Sequence, residues 1–565
     1  MFFNFVFHVH MKKRYKIFIG IAALACLFAV YFFYSIRVPV PAVDEAFYEK
    51  VIVQEPSEGF YVYGNNWLRA SESGLYELYV EGDAFERGVI NGKLSQELVV
   101  NQERHFVEKI AEMIPSRIYV NFLKYFVAWF NRDLDENIPE EYMKEIYGVS
   151  RSASNEFSFI GPGFYRMLNY HAAHDIGHFL QELHMVGCTS FASWGDEKTD
   201  SSMIIGRNFD FFVGDKFAEE KIVAFINPDR GRKFMMVTWG GMIGAVSGMN
   251  EAGLTVTINA ASGPMPLSTA TPISIVAREV LQYAATIEEA YEIINKRKTF
   301  VGQSFLVGSA RDGKAVVIEK TVEETAIYDP DTTFVYCANH YQSASLKDME
   351  TNVKHRNETS TLYRYRRIED LVSASGRLNP ERVAEILRDR KGADGEDIGL
   401  GNERALNQLQ GHHSIIFKPE ERLVWVSTAP WQLGEYVCYD LDAVFAKAAD
   451  EPSAGEIKVD SLTIGEDPFV RTDTFKNYLV FRSAKTTLER VIRSGEVNDT
   501  LAELVIRSNP EYYLSYELAG DYYRSQKRYE EAEKHYEAAL DKSIPWMADS
   551  LGIVKKREKV KLSIN

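Results

Sequence analysis

Cysteine is scarce in this chain. Four residues, Cys26, Cys188, Cys337 and Cys438, are spread over 565 positions. That is too few for a disulfide framework, and the spacing lacks the pairs of a structural zinc site. Any cysteine chemistry must then rest on a single thiol in a special setting. Basic charge is also short. Lys and Arg number 64 against 80 Asp and Glu, for a formal net charge of −16. Nucleic-acid binding needs a basic face, so nucleic acid is not expected as a partner. Hydrophobic residues at 46% and charged residues at 25% exclude wholesale disorder. Aromatics are not lacking: 31 Tyr and 34 Phe are enough for large cores. At about 100–200 residues per domain, the length allows two to four domains, or one large domain with additions.

Charge is absent altogether from one stretch. Ile17 to Ile36 carries none, directly after Lys12-Lys13-Arg14-Tyr15-Lys16. As a helix, at about 1.5 Å per residue, this run spans roughly one hydrocarbon core. The basic flank comes first, which places residues 1–16 in the cytoplasm and the rest of the chain outside. A signal-peptide core is usually shorter, about 7–15 residues, and Val40-Pro41-Ala42 is a poor cleavage site. The sequence therefore predicts an uncleaved anchor over 17–36 and an extracytoplasmic remainder, periplasmic or at the cell surface.

Past the anchor, Pro39, Pro41 and Pro56 mark a tether followed by short strands. Helical periodicity occupies 95–150, with a stripe at Phe106, Ile110 and Ile114. Short β runs follow at Ser202–Gly206, Ile222–Ile226, Phe234–Thr238 and Leu254–Ile258, separated by Gly-rich turns. Helices are expected at Ile273–Ala285 and Ile287–Asn295, the second capped by Thr286. Strands resume at Ser304–Val307, Ala315–Glu319 and Phe334–Cys337. Asn379-Pro380 opens another helix. The last sheet segments are Ser414–Phe417 and Leu423–Ser427. This order of strands, helices and strands predicts a layered α+β sandwich rather than a doubly wound sheet. In the tail, Tyr516, Gly520, Tyr523, Tyr529, Ala532, Tyr536, Ala539 and Pro545 have the spacing of a tetratricopeptide repeat, with Leu488–Ser508 as a second helical stretch. One such unit cannot bury its faces alone, so it is expected to dock on the main domain or to meet a protein partner.

The candidate chemistry starts at Gly187-Cys188-Thr189-Ser190-Phe191-Ala192. Then come Gly206-Arg207-Asn208-Phe209-Asp210, Gly248-Met249-Asn250-Glu251-Ala252-Gly253-Leu254 and Thr257-Ile258-Asn259-Ala260. Cys337-Ala338-Asn339-His340 and Tyr363-Arg364-Tyr365-Arg366 complete the series. In this order the motifs resemble the N-terminal-nucleophile hydrolases. Within them they most resemble the autoproteolytic acyl-coenzyme A:6-aminopenicillanate acyltransferase family, with choloylglycine hydrolases as cousins. The resemblance covers roughly 75–440, and Gly82, Arg87-Gly88 and Gly92 match that family's Gly-spaced pro-region.

The resemblance implies a four-layer αββα sandwich, a pro-region over 37–187 and a catalytic core over 188–445. A linker over 446–485 and a helical tail over 486–565 would follow. It implies that the bond before Cys188 cuts itself, and that the new α-amine then serves the thiol as base. An α-amine titrates at about 7.7–8.0, close enough to neutrality for that task. By the same resemblance Arg207 favours thiolate, Asp210 holds the new amine, and Asn259 is an oxyanion donor. Asn339 orients substrate or oxyanion, and Arg364 supports the site from a distant helix. The substrate would be a small linear amide or N-acyl compound, with no cofactor and no metal.

Arg207 and Asp210 are three apart, so on a regular strand they would leave opposite faces, and a bend at Asp210 is required. A separate cluster, His171, His174 and His178 with Asp175 and Glu182, has helical spacing that would suit zinc. Gly177 weakens a helix there, and the plain alternative is a polar helix packed near the site. The sequence also allows two other readings: an inactive anchored scaffold with a protein-binding tail, and a conventional cysteine protease with His340 or His184 as base.

Overall fold

The structure is a computed structural model of the chain, and it describes residues 13–114, 116–179, 187–195, 199, 202–212, 214–263, 269–448 and 455–564. Four strands come early: β1 (Gln54–Ser57), β2 (Phe60–Tyr63), β3 (Asn66–Ala70) and β4 (Tyr76–Gly82). The middle of the chain adds β5 (Thr189–Ser193), β6 (Ile204–Phe209), β7 (Ile222–Pro228), β8 (Phe234–Thr238), β9 (Ser247–Asn250) and β10 (Leu254–Ala260). After two helices come β11 (Gln303–Ser309), β12 (Lys314–Lys320), β13 (Thr325–Tyr328) and β14 (Phe334–Cys337). The last are β15 (His413–Lys418), β16 (Leu423–Ser427) and β17 (Tyr436–Asp440).

They form two sheets. The larger runs β1-β2-β3-β4-β7-β8-β9-β10-β11-β12-β13, and the smaller runs β14-β5-β6-β15-β16-β17. Alternation along each strand sends residues to opposite faces, and the burial follows it. Val223, Phe225, Met235, Leu306 and Val317 of the large sheet meet Ile205, Val335, Ile415, Val424 and Val437 of the small one. The other face of the large sheet, with Leu78, Ala224 and Ile258, packs on helices Ala84–Leu94, Glu140–Ser150 and Ile273–Tyr283. The other face of the small sheet, with Ile204, Ile416 and Trp425, packs on helices Thr361–Ala374 and Pro380–Leu387. The result is four layers, αββα. Most expected strands recur with ends moved by one to three residues. Thr286 caps its helix by accepting from the Glu289 amide, and Asn379 does the same for Arg382.

The segment before Cys188 is not a separate unit. β4 pairs in parallel with β7, from Tyr76 opposite Ile222 to Gly82 opposite Pro228. The helices Ala84–Leu94 and Glu140–Ser150 cross at glycines. A Cβ on Gly88 would lie 2.1 Å from the Glu145 carbonyl oxygen, and one on Gly148 would lie 2.6 Å from the Phe85 carbonyl oxygen. That backbone contact leaves Glu145 buried between Arg87 (2.8 Å) and Arg278 (3.2 Å). Burial would raise the Glu145 pKa, but the two guanidinium groups hold it below the usual carboxylate range.

Among the described residues one helix, Lys13–Ser35, is long and apolar enough to cross a membrane, with a mean hydropathy of 2.1 over Phe18–Ser35. Near its C-terminal end, Phe32 stacks on Trp129 of helix Arg117–Phe130, ring centroids 5.3 Å apart. At the other end of the chain the helical stretch expected over Leu488–Ser508 is broken. One helix runs Asp473–Ser494, Gly495 closes it with φ of 75°, and a second runs Asp499–Ser508. The first reaches back into the stretch expected as linker, because Thr472 caps it by accepting from the Phe475 amide. Helices Tyr513–Ser525 and Tyr529–Leu540 form a hairpin in which Gly520 faces the Tyr536 ring. The tail docks on the sandwich: Leu409 and Leu433 lie inside its apolar core. Asn509 hydrogen-bonds both the N–H and the C=O of Leu400.

The glycine crossing generates a test. Gly88→Ala should destabilise the fold by about 3 kcal/mol or more, since a methyl group cannot enter a backbone contact that close. Gly376 meets nothing within 4 Å, so Gly376→Ala should leave the melting temperature nearly unchanged. Thermal melts of the two variants check this, and equal melting temperatures would contradict the packing described.

Candidate active site

The site is at the start of β5, where the two sheets meet. β5 lies between β14 and β6, with Ser190 opposite both Cys337 and Arg207. Cys188 and Ser190 are two apart and share a face, so Arg207 reaches the thiol. Its Nη2 is 3.7 Å from Cys188 Sγ. The same guanidinium donates to Ile258 O and Ser247 Oγ, and its Cζ lies 4.4 Å from the Phe209 ring centroid. Strand β6 ends at Phe209, and Asp210 has left the ladder. That provides the departure from regular alternation that the three-residue spacing requires.

Cys188 is 1% exposed. Burial pushes its thiol pKa up, Asp210 adds to this, and Arg207 and Arg364 oppose it. Asp210 is also buried, and its carboxyl is pushed up to about 7, mainly by desolvation and against the pull of Arg364 and Arg207. Its Oδ1 accepts weakly from Gln432 Nε2 at 3.4 Å, and its Oδ2 has no hydrogen-bond partner among the described residues. A buried acceptor left open, with a charge that the Cys188 thiol feels, is suited to take a proton or to receive an ammonium group.

Arg364 comes from helix Thr361–Ala374. It donates from Nη1 to Cys188 O (2.7 Å) and Thr189 Oγ1 (2.5 Å), and from Nη2 to Asn339 Oδ1 (2.7 Å). Asn339 Nδ2 donates to Ala260 O at 2.9 Å. Asn259, near the end of β10, donates to Cys337 O at 3.0 Å and accepts from Ser190 Oγ at 3.3 Å. The structure therefore brings Cys188, Arg207, Asp210 and Arg364 around one peptide, while the amides of Asn259 and Asn339 tie β10 to the end of β14.

The other sequence candidates are placed differently. His340 Nδ1 bonds Thr361 Oγ1 at 3.0 Å, and burial pushes its pKa down to about 3. His171 has both ring nitrogens occupied, by Met167 O and by the Ile243 N–H, and its pKa is pushed down to about 4 by burial. Asp175 accepts from the Ile273 N–H. Both are then tied into the packing of their helix against 243–273. The side chains of His174 and His178, and residues Glu182 and His184, lie outside the described residues.

Several groups have no local signal in the sequence. Ser247 Oγ bonds His413 Nε2 (2.9 Å), and His413 Nδ1 bonds His412 Nδ1 (2.9 Å), extending the network from Arg207. Burial and nearby cations push both imidazoles well below their ordinary range, so they stay neutral. Gln408 and Gln432 also border the site. Only the adjacent pair His412-His413 could have been singled out by eye.

Residues 196–428 match the family model described as acyl-coenzyme A:6-aminopenicillanic acid acyl-transferase. The match begins after Cys188 and contains Arg207, Asp210, Asn259, Asn339 and Arg364. An uncharacterized protein of Archaeoglobus fulgidus is 24% identical over 353 residues, 56% of this chain and 58% of that protein. Protein dcd1B of Dictyostelium discoideum is 21% identical over 276 residues, 46% of this chain and 52% of that protein. The matched stretch thus spans little more than half the length of either relative. Among solved structures, an N-acylethanolamine-hydrolyzing acid amidase ortholog of Caenorhabditis elegans matches at 17% identity. That match covers 41% of this chain and 93% of that one, with a TM-score of 0.32. Penicillin V acylase from Agrobacterium tumefaciens matches at 15% identity, over 45% of this chain and 86% of that one, with a TM-score of 0.31. What these comparisons establish by sequence is that the central segment of this chain, 196–428, matches the model of the acyl-coenzyme A:6-aminopenicillanic acid acyl-transferase family.

Proposed function

We propose that this chain is a self-cutting cysteine hydrolase or acyltransferase acting on a small linear amide. The observation that carries the reading is the setting of Cys188. Its Sγ faces Arg207, and the residue before it, Gly187, donates its N–H to the Asp210 carbonyl at 2.9 Å. In the uncut chain the thiol sulfur attacks the Gly187 carbonyl carbon. A C–S bond forms, the C–N bond to Cys188 breaks, and the departing nitrogen gains the thiol proton, relayed by Asp210. Water then hydrolyses the thioester and leaves a Gly187 carboxylate and a free Cys188 α-amine. In this reading that amine is held by Asp210 and activates the thiol for substrate. A positive charge at Arg207 favours the thiolate, which is the nucleophilic form. The acyl-enzyme then passes to water or to an amine.

The helix Lys13–Ser35 serves as anchor in this reading, with the sandwich outside the membrane. Coenzyme A is not expected there, which favours hydrolysis, and a lipid-like acyl group suits an anchored enzyme. The tail hairpin, built like a tetratricopeptide unit, is a candidate protein-binding element. His340 is not suited to act as base, because its Nδ1 is held by Thr361 and burial keeps the ring neutral and weakly basic.

Processing is the first test. Denaturing gels should show pieces of roughly one third and two thirds of the chain, the larger starting at Cys188 on N-terminal sequencing. Cys188→Ala should stay whole. Because cutting needs the basic form of Asp210, its rate should fall about tenfold per pH unit below about 7 and level off above it. A flat rate between pH 5.5 and 8.5 would remove Asp210 from the step.

The thiolate is the second test. Removing the Arg207 guanidinium removes the stronger of the two cations that oppose the rise in the Cys188 pKa. Arg207→Ala should then slow iodoacetamide labelling of Cys188 at neutral pH. Cys337 and Cys438, both buried and pushed up by burial, should label slowly in either form. Equal labelling of Cys188 would count against this role for Arg207.

Asn259 is the third. If its amide turns to a developing oxyanion, Asn259→Ala should lower turnover by about 10²–10³ with little change in substrate binding. A mature Asn259→Ala protein with undiminished turnover would show that the amide serves only to tie β10 to β14.

A further inference from the structure

The uncut peptide at 187–188 is held at three atoms. Gly187 N donates to Asp210 O at 2.9 Å, and Cys188 O accepts from Arg364. The oxygen between them, Gly187 O, accepts from Gln408 Nε2 at 3.0 Å. This is the oxygen that gains negative charge when sulfur adds to the Gly187 carbonyl. Among the described residues it accepts no other hydrogen bond. We propose that Gln408 is the oxyanion donor for the self-cutting step. The inference rests on the self-cutting reading and adds a catalytic residue to it.

Three observations support a built position. First, the amide cannot easily turn over, because Gln408 Oε1 accepts from Gln410 Nε2 at 2.9 Å and this leaves Nε2 for the carbonyl. Second, the residue in front of the nucleophile has to be small. A Cβ on Gly187 would lie 2.7 Å from Gln408 Nε2, so any larger residue would displace the donor. Third, the next residue, Leu409, is held at φ 51°, an unfavourable backbone for a residue with a side chain. It persists because the surroundings fix it on several sides. The Leu409 N–H donates to Asn407 Oδ1, and its carbonyl accepts from Arg482 of the helical tail. Its side chain is fully buried in the tail's core. On the other side, Asn208 of β6 donates to Leu406 O at 2.9 Å. The loop that carries Gln408 is thus clamped between the strand of Arg207 and the tail.

The donor is neutral and already in place. Its hydrogen bond shortens and strengthens as the carbonyl carbon becomes tetrahedral and its oxygen anionic, and no proton is transferred to or from it. When the C–N bond breaks, the oxygen returns to a thioester carbonyl.

The test follows full-length chains made by cell-free translation and chased at pH 8, with the smaller piece quantified over time. Gln408→Ala should cut about 10²–10³ times more slowly than wild type. Gln408→Glu keeps the shape but presents a carboxylate to the developing charge, and should be at least as slow. Folding is checked on uncuttable chains: Cys188→Ala and Cys188→Ala/Gln408→Ala should melt within a few degrees of each other. If the alanine pair melts apart, the isosteric Gln408→Glu decides. Cutting at the wild-type rate in a folded Gln408→Ala chain, or in Gln408→Glu, overturns the assignment of Gln408 alone. A wild-type chain that never cuts overturns the self-cutting reading and this assignment with it.

Discussion

Two buried guanidinium groups with no carboxylate at ion-pair distance, among the described residues, set the terms for the whole site. Arg207 and Arg364 are both essentially inaccessible to water. An uncompensated buried cation is costly unless dipoles surround it, and that is where their hydrogen bonds go. Arg207 is held by Ile258 O and Ser247 Oγ, and Arg364 by Cys188 O, Thr189 Oγ1 and Asn339 Oδ1. Among the described residues, Asp210 is the carboxylate whose field is felt by both, together with the Cys188 thiol, and burial pushes its pKa up to about 7. The pocket is therefore short of negative charge. A thiolate or a tetrahedral oxyanion formed there would supply it, and few other groups on this acidic protein would be drawn to the same place.

Much of this was legible in the sequence, and the reason is local. The strand that carries Arg207 is expected over Ser202–Gly206 and runs three residues further, to Phe209, and Thr286 and Asn379 announce helices by capping chemistry. The αββα layering followed from the resemblance, and the two inner faces pair as alternation demands. What the sequence did not reveal depends on distance along the chain. Gln408 reaches across 221 positions to Gly187, in a stretch with no periodicity at all. Ser247 and His413 join through space from strands of different sheets. The helix break at Gly495 was hidden because Leu488–Ser508 keeps a helical apolar rhythm on both sides of it.

The tail acquires a second significance beside its resemblance to a partner-binding repeat. It fills its own apolar core with Leu409 and Leu433 from the sandwich, and Asn509 closes a two-point contact with Leu400. The strained turn at Leu409 depends on this support. A helical module that looks peripheral along the chain is thus, in space, part of the wall behind the nucleophile.

The parallel pairing of β4 with β7 gives a cut at 187–188 an asymmetric outcome. The early segment carries four consecutive strands of the larger sheet, so the two pieces would stay interleaved through backbone ladders and a glycine-lined helix crossing. Their joint fold would have been reached while they were one chain, when a short covalent path brought β4 to β7. Once parted by denaturant, the pieces would have to find each other by diffusion, and the smaller would expose a long apolar sheet edge while doing so. Such a protein would be kinetically stable: durable while folded, and unlikely to be regained once it is lost.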